Sequence, residues 1–202
     1  MGRKKLIEDE ELLNHARAVF LEKGATASTK DIAKAAGISQ ATLFQRFPTK
    51  EALFRAAMVP PTPDVEQIIA AAQGHTDPRS ALTAICEAML AYFRSMIPVA
   101  LHLMIHPAIT MQDMQGQFKK NNPAILGQTL ALFLRNLNQT RQAAIRDPVA
   151  AAGLLVAAIH SLALFELMGL HGGYFPTDAI AALINSLWYG MEPAAQIMPA
   201  MA

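Results

Sequence analysis

Apolar residues in the first part of the chain recur at helical spacing and do not alternate. Between residues 10 and 23 they share one face of a helix that Gly24 would end. The members of that face are Leu12, Leu13, Ala16, Val19 and Phe20. No run of β-branched residues alternates between Asn-Gly or Asp-Gly turns, which is the usual signal of strands. The pattern therefore predicts an all-α protein.

Residues 28–47 carry the signals of two short helices joined by a tight turn. Ser28 can cap the first helix, with Asp31 three residues later as in a capping box, and Ser39 can cap the second. Gly37 lies between them, where left-handed backbone would end the first helix. Apolar residues face inward, and the second helix leaves Gln40, Thr42 and Arg46 facing outward. A short helix with outward hydrogen-bonding groups fits the major groove, so the segment predicts a helix-turn-helix that binds specific DNA sequences.

The surrounding residues narrow this interpretation. The run FLEKGATASTKDIAKAAGISQATLFQRFPTKEALF combines a helix ending in Gly, a capped second helix, Ala-Ala-Gly at the turn and Phe-Pro-Thr-Lys after the recognition helix. This combination closely resembles the TetR family of bacterial transcriptional regulators, over residues 6–58. The resemblance implies an N-terminal three-helix DNA-binding domain and a C-terminal helical domain for effector binding and dimerisation. The residues it assigns to DNA contact are Thr29, Lys30, Gln40, Ala41, Thr42, Phe44, Arg46 and Lys50.

The matching positions have distinct expected roles. Gln40 can pair with adenine, and Thr42 can touch a thymine methyl group. Lys50, at the start of the next helix, would hold a phosphate with help from the positive end of that helix. Thr29 and Lys30 would meet the DNA backbone or the edge of the groove. Such phosphate contacts set the register of the protein on DNA, whereas base contacts set sequence preference.

One position departs from the family pattern. The family usually has Tyr where this chain has Phe44, and the phenol hydroxyl of that Tyr bonds a phosphate. Phe44 keeps the ring and lacks the donor, so plain packing is an alternative role for it. Arg46 stands where His is frequent, and we expect it to replace the lost phosphate contact.

Charge is distributed unevenly along the chain. Residues 1–58 contain ten Lys or Arg and seven Asp or Glu, whereas the remainder contains seven and nine. Arg3, Lys4 and Lys5 form a basic arm that would follow the DNA backbone or enter the minor groove, unless it is simply a solvated terminus. A basic head and a slightly acidic body favour a nucleic-acid partner at one end.

Composition restricts the other possibilities. Hydrophobic residues make up 52% and charged residues 16% of the 202 residues, which suggests buried surface beyond one core. The single Cys86 excludes an internal disulfide and a Cys-rich zinc site. The basic start continues into acidic residues and not an apolar segment, so we expect no signal peptide and a cytoplasmic protein, associated with the nucleoid when bound to DNA.

The body of the chain predicts further helices. Pro follows Asp77, Asn122 and Asp147, which places an N-cap before Pro at the first helical position. The expected helices are 64–73, 78–95, 98–106, 108–119, 123–140, 148–170 and 177–190. Pro60, Pro61 and Pro63 should stop the preceding helix near Met58 or Val59. We therefore expect a DNA-binding domain at 1–60 and an effector-binding and dimerisation domain at 61–202.

Residues 149–165 are apolar almost throughout. A membrane span would need about twenty such residues with flanking positive charge, so a buried helix is the better interpretation. Gly153, Ala157 and Ser161 lie four apart and make a smooth face. With the last helix, this face predicts a four-helix interface between two copies, to which Leu183, Leu187 and Trp188 would contribute. The alternative is that both helices belong to the core of one chain.

The resemblance also implies an effector cavity. Its expected lining is apolar with a few polar groups: Tyr92, Phe93, Met96, His102, Met104, His106, Phe133, His160 and Phe165. Ordinary core is the alternative for each Met or Phe. His160 and Glu166 would orient the polar end of a ligand, or Glu166 would pair with an Arg such as Arg94.

The expected function is thus a homodimeric repressor that binds a palindromic operator and is released by a small, largely apolar effector, with no cofactor. Two alternatives stay open. One is a metal-responsive regulator that uses Cys86, His102, His106 and His160, and the other is an architectural DNA-binding protein without an effector. The sequence contains no Gly-rich phosphate loop, Gly-x-Ser-x-Gly motif or paired carboxylates, so we expect no enzyme.

Overall fold

The computed structural model describes residues 7–107, 109–170, 176 and 178–188. These residues form ten α-helices and one short 3-10 turn, and no strand occurs among them. The all-α fold class predicted from the sequence is therefore confirmed. The helices are α1 Asp9–Lys23, α2 Thr29–Ala35, α3 Gln40–Arg46, α4 Lys50–Ala57, α5 Val65–Ala70, α6 Pro78–Ile105, α7 Met111–Asn121, α8 Ala124–Gln139, α9 Pro148–Leu167 and α10 Ala179–Trp188.

The predicted caps of the helix-turn-helix are present. Ser28 Oγ accepts a hydrogen bond from Asp31 N at 3.1 Å, and Ser39 Oγ accepts one from Thr42 N at 3.1 Å. Caps of this kind stabilise a helix by about 1 kcal/mol. Gly37 has φ +66°, and the Ile38 N–H returns to the Ala33 carbonyl at 3.0 Å. This left-handed turn ends α2 as predicted and directs the chain into α3.

Residues around α1 and α4 form the apolar core of the first compact unit. Phe20 and Phe54 meet edge to face with ring centroids 5.0 Å apart. The most deeply buried members of this core are Leu12, Ala16, Phe20, Ile32, Leu43, Leu53, Ala57 and Met58. Arg17 Nε donates to the Ala57 carbonyl at 2.7 Å, so a side chain of α1 satisfies the end of α4.

The same unit also includes residues far along the chain. It consists of Met1–Pro61 together with Pro98–Lys120, as far as these residues are described. His106 stacks on Phe54 with centroids 3.9 Å apart, and Arg55 Nη1 lies 3.2 Å from Asp113 Oδ2. The sequence placed the domain boundary at residue 60 and assigned all later residues to the other domain. In the structure, the end of α6 and the start of α7 also pack against the core that contains α4.

Several details of the predicted helices differ from the structure. The expected helices 78–95 and 98–106 form one helix, α6, with Pro98 inside it. Proline removes one backbone donor, and the rest of the 28-residue helix continues past it. Asn122 does not cap α8, because its φ is +39° and the helix begins at Ala124. Asp77 and Asp147 do accept backbone N–H groups, from Ser80 and from Val149 and Ala150.

The second unit consists of Thr62–Ile97 and Asn121–Ala202, again as far as these residues are described. Within it α8 packs along α9. Asn138 closes the connection between these helices, because its amide donates to the Ile145 carbonyl at 2.7 Å and accepts from Ile145 N at 2.9 Å. Helix α9 ends at Leu167 and does not reach residue 170, because Gly169 turns the backbone at φ +68°.

Candidate nucleic-acid interface

Helix α3 presents one exposed face. Leu43 is 1% exposed and anchors the helix in the core of the first unit. The exposed residues repeat at four-residue intervals and therefore share one side: Gln40, Ala41, Phe44 and Gln45. A seven-residue helix is too short to be stable alone, so Leu43 and the Ser39 cap hold this face in place.

Hydrogen bonds within the unit orient the two predicted base-contact side chains. Gln40 Nε2 donates to Thr29 Oγ1 at 3.1 Å, which joins the start of α3 to the start of α2. The hydroxyl groups of Ser39 and Thr42 lie 2.8 Å apart. A Gln amide and a Thr hydroxyl have more than one hydrogen-bonding position. Both side chains can thus be held by the protein and still offer a group to a base edge.

The predicted phosphate-binding lysines lie at helix starts. Lys50 is the first residue of α4 and is half-buried, and Thr49 Oγ1 caps that helix through Ala52 N at 3.0 Å. Lys30 is exposed at the second position of α2. The first turn of a helix carries partial positive charge, so both positions favour an anion.

Asp31 is the single acidic residue of segment 28–47, and its charge is compensated locally. The Ser28 hydroxyl donates to Asp31 Oδ2 at 2.8 Å, and Lys23 Nζ lies 3.1 Å from the same oxygen. The hydrogen bonds from Ser28 and Lys23 lower the pKa of the Asp31 carboxyl. The carboxylate therefore remains ionised and paired at the edge of the helix-turn-helix.

Arg46 is engaged in a way that the sequence did not indicate. Its Nη1 donates to the Ile7 carbonyl at 2.7 Å and lies 3.1 Å from Asp9 Oδ1. The guanidinium thus joins the end of α3 to the residues that lead into α1. This contact gives Arg46 a structural role beside the phosphate contact that we expected. The basic arm of Arg3, Lys4 and Lys5 lies outside the described residues.

Phe44 is 42% exposed, which does not fit plain packing. Phe44 is the one exposed large apolar residue of segment 28–47, because Leu43 and Ile32 are buried and Phe47 packs on the core. Sequence reasoning also missed Gln45, an exposed amide beside Phe44. The four-residue interval from Ala41 to Gln45 was the signal that could have identified it.

Helix α9 presents a second exposed face, and this one is apolar. Gly153, Ala157 and Ser161 are all exposed, and Leu154 beside them is 72% exposed. The predicted residues of α10 differ among themselves, because Leu187 is 43% exposed, Leu183 is half-buried and Trp188 is 6% exposed. Trp188 therefore packs within its own chain. The four positions of α9 form a face of three small residues and one leucine that a single chain leaves uncovered.

The nine residues expected to line an effector cavity belong to different units. His102, Met104 and His106 lie in the first unit, where His102 Nδ1 is 2.8 Å from the Pro98 carbonyl oxygen and Met104 is 58% exposed. The other six lie in the second unit. There, the Phe93 ring is edge-on to Tyr92 at 5.3 Å and to His160 at 5.2 Å. Met96 is buried, Phe133 is half-buried and Phe165 is 37% exposed.

Glu166 has the partner that the sequence suggested. Arg94 Nε and Nη2 donate to its two carboxylate oxygens at 2.7 and 2.8 Å, which is a bidentate pair between α6 and α9. This pair raises the pKa of the Arg94 guanidinium. The pair anchors α9 to α6 within the second unit.

Pockets among the described residues include the following two. One, of about 110 Å³, lies in the first unit and is lined by Arg55, Leu103, Ile109, Asp113, Met114 and Gln117. The other, of about 360 Å³, lies in the second unit and is lined by His75, Arg79, Ser80, Thr83, Ala84, Glu87, Ala181 and Asn185. None of the nine predicted cavity residues lines either of these two pockets.

The metal-binding alternative has no cluster among the residues that the structure describes. In that part of the chain, no three His, Cys, Asp or Glu side chains come together in a way that could hold an ion. Cys86 is buried, and burial raises the pKa of its thiol to about 12. A thiolate is the form that binds metals, so burial opposes a ligand role for Cys86.

By length and composition, α6 and α9 could each cross a membrane. The most apolar 18-residue window of α9 is 28% buried, and that of α6 is 39% buried. Core helices of soluble proteins have the same composition, so these two helices are weak signals of a membrane protein. The low burial of α9 shows that much of this apolar helix is exposed in the single chain.

Comparisons with known proteins agree with this architecture. Residues 12–57 match the family described as bacterial regulatory proteins, tetR family. Among curated protein sequences, none matches the chain significantly. A transcriptional regulator from Saccharomonospora viridis, solved in complex with choline, is 21% identical with a TM-score of 0.67, covering 91% of this chain and 97% of that one.

Two further structures have similar coverage. A TetR-like transcriptional regulator from Rhodococcus sp. RHA1 is 22% identical with a TM-score of 0.56, over 92% of this chain and 97% of that one. The regulator FadR from Bacillus subtilis, solved with stearoyl-CoA, is 15% identical with a TM-score of 0.58. The match covers 90% of this chain and 96% of that one. The family match over residues 12–57, together with the capped helix-turn-helix, supports a TetR-family transcriptional regulator, and these solved structures share its fold.

Proposed function

We propose that the protein is a homodimeric repressor that binds a palindromic operator and is released by a small, largely apolar effector. The observation that carries this proposal is the exposed face of α3, which the Ser39 cap and buried Leu43 fix on the first unit. Residues 1–60 would bind DNA, and residues 61–202 would bind the effector and form the dimer. Gln40 and Thr42 would contact bases, while Thr29, Lys30 and Lys50 would contact the backbone.

The uncovered face of α9 supports dimerisation. Gly153, Leu154, Ala157 and Ser161 are exposed without charge, and contiguous apolar surface of this kind is typical of a protein interface. A second copy related by a two-fold axis would bring the same face against itself. Two recognition helices would then read two half-sites of one palindrome. We propose this arrangement, with no membrane partner and a cytoplasmic location.

The effector would act through the equilibrium between two spacings of the DNA-binding domains. A ligand shifts such an equilibrium only by its different affinities for the two states. The relatives solved with choline and with stearoyl-CoA support a small-molecule effector, and the acyl chain of stearoyl-CoA is an example of a largely apolar group. In the second unit, the contacts of the Phe93 ring with Tyr92 and His160 make these three residues the candidates for an effector contact.

The test is binding to the intergenic DNA beside the gene, by fluorescence anisotropy with excess random competitor. We expect tight binding that survives the competitor and a footprint with two-fold symmetry. The same complex would then serve to screen effectors by release. Binding that the competitor abolishes would contradict sequence-specific repression and favour an architectural DNA-binding protein.

The metal-responsive alternative makes a separate prediction. If Cys86, His102, His106 or His160 bound a metal, Zn²⁺ would raise the unfolding temperature and change operator affinity. We expect neither change, because burial keeps the Cys86 thiol protonated. A variant with Cys86→Ser is the control for adventitious thiol binding.

A further inference from the structure

We propose that Phe44 reads the methyl groups of thymines in the major groove and so determines part of the operator sequence. This inference rests on the proposed function, since it requires that α3 enters the groove. The inference gives Phe44 a role in reading sequence. The hydroxyl group that bonds a phosphate in the usual Tyr of the family is absent from its ring.

The exposed position of the ring is the first observation. Phe44 lies in the middle of α3 and is 42% exposed, whereas Leu43 next to it is 1% exposed. An aromatic ring in water loses the free energy of burial, about 25 cal/mol for each Å² of apolar surface that is left uncovered. A partner that covers the ring recovers this energy.

The neighbours of Phe44 show which kind of partner would fit. Ala41 lies one turn before it and adds a methyl group to the same exposed face, and the amides of Gln40 and Gln45 flank this strip. No acidic residue occurs in α3. The surface is thus a short apolar strip between hydrogen-bonding groups, without charge that would repel DNA.

The polar groups on this face are partly engaged elsewhere. Gln40 is bonded to Thr29, and the Thr42 hydroxyl is bonded to Ser39, both at the N-terminal end of α3. These contacts draw polar side chains toward the start of the helix and leave the Ala41–Phe44 strip for apolar contact.

The thymine methyl is the apolar group that the base edges present in the major groove. A phenylalanine ring has no donor for a phosphate and packs well on a methyl group. Because the ring lies at the middle of the helix, it would meet bases inside each half-site and not at its edge. The occupant of the strip is therefore a thymine in each half-site.

The experiment replaces thymine by uracil, which removes only this methyl group. Once the operator is established, each thymine of one half-site is replaced in turn, with the same change in the other half-site. For the wild-type protein we expect one position at which binding weakens about fourfold for each methyl group removed. The readout is the ratio of Kd values for the uracil and thymine operators.

Protein variants then assign the methyl contact to Phe44. We expect Phe44→Ala to bind the thymine operator more weakly than the wild type does. The variant should bind the thymine and uracil operators with equal affinity. Gln45→Ala is the matched control on the same face, and it should keep the fourfold dependence. Far-UV circular dichroism and thermal unfolding check that Phe44→Ala folds, as its exposure predicts.

The outcomes separate this inference from the proposed function. If no operator is bound in preference to competitor, both fail together. If an operator is bound and uracil has no effect at any position, the inference fails and the repressor proposal stands. If Phe44→Ala keeps the methyl dependence, another side chain such as Ala41 or Thr42 reads the methyl and the inference fails.

Discussion

Helices α3 and α9 both leave one face uncovered, and the two faces are made of different chemical groups. The face of α3 carries amides, a methyl group and one ring within seven residues. The face of α9 carries glycine, small residues and leucine between Gly153 and Ser161 of a twenty-residue helix. DNA offers hydrogen-bonding edges and charge, whereas a second protein helix offers close apolar packing. We therefore propose different partners for the two faces because their chemical groups differ, although both faces are exposed.

The two helices also differ in what holds them. Helix α3 is too short to be stable alone and depends on Leu43 and the Ser39 cap. Helix α9 has a longer contact with α8 and the bidentate pair of Arg94 with Glu166. Its outer face can therefore change without unfolding the helix. A substitution on the exposed face of α9 should alter assembly, whereas a substitution at a buried position of α3 should alter folding.

The largest expected effect comes from Ala157→Arg. A charged side chain in an apolar interface has no partner and opposes association, so we expect monomers by light scattering. Operator affinity should fall on the order of 10²-fold, because the two heads no longer bind as one unit. Ala91→Arg, at an exposed position of α6, is the matched control and should remain dimeric. A dimeric Ala157→Arg protein would place the interface elsewhere and remove α9 from the comparison.

The next effect in size separates two neighbours on α3. Leu43→Ala should lower the free energy of unfolding by about 3 kcal/mol, because it leaves a cavity in the core. Phe44→Ala should change that free energy by less than about 0.5 kcal/mol, as is usual for exposed positions. Denaturant unfolding followed by circular dichroism measures both. Equal losses in the two variants would mean that the Phe44 ring also supports the fold.

A smaller effect is expected from Lys50→Ala. In the proposed dimer this change removes one phosphate contact from each half-site, so it should weaken binding to all sequences alike and lower the slope of log K against log salt by about two. Arg135→Ala, an exposed residue of α8 in the other unit, should leave the slope unchanged. If the slope for Lys50→Ala also stays unchanged, Lys50 does not contact a phosphate.

The smallest effect concerns pH and the stack of His106 on Phe54. Burial lowers the pKa of His106 below its ordinary 6.5, Lys50 and Arg55 lower it further, and Glu51 opposes this. As the pH decreases below about 6.5, the unfolded chain takes up a proton before the folded chain does. The free energy of unfolding therefore decreases as the pH decreases. Above that range the contribution of the neutral ring is fully present.

The variant His106→Phe tests this pH dependence while keeping an aromatic ring against Phe54. Its unfolding temperature should fall less than that of the wild type between about pH 7.5 and about pH 5.5. His102→Phe is the control, because the His102 ring bonds the Pro98 carbonyl and not Phe54. Parallel decreases in wild type and His106→Phe would show that the stack does not contribute to the pH dependence.

Local signals predicted the helix-turn-helix correctly. Ser28, Gly37 and Ser39 act through neighbours within five residues, so their caps and turn could be derived from the sequence. The contact of His106 with Phe54 joins residues that are more than fifty positions apart in the sequence, and no periodic pattern predicts it. The sequence therefore assigned His102, Met104 and His106 to an effector cavity, whereas the structure groups them with α4.

Other errors have physical reasons of the same kind. Pro98 was taken as a break, although a long helix can continue past one missing donor. The sequence did not indicate that Arg46 also binds the carbonyl of Ile7 and the carboxylate of Asp9, because these partners lie more than thirty residues away. The exposure of Phe44 depends on how α3 packs, which residue type alone does not specify. The roles of the DNA-contact, cavity and interface residues remain predictions.

The burial of Cys86 has a practical consequence for testing the proposed dimer. A thiol with a pKa of about 12 stays protonated at neutral pH and reacts slowly with maleimides and methanethiosulfonates. The chain contains no other cysteine. A single Gln45→Cys substitution on α3 would therefore carry a spin label or dye without replacement of the native thiol. In a dimer, two such labels would report the distance between the recognition helices directly, with and without effector.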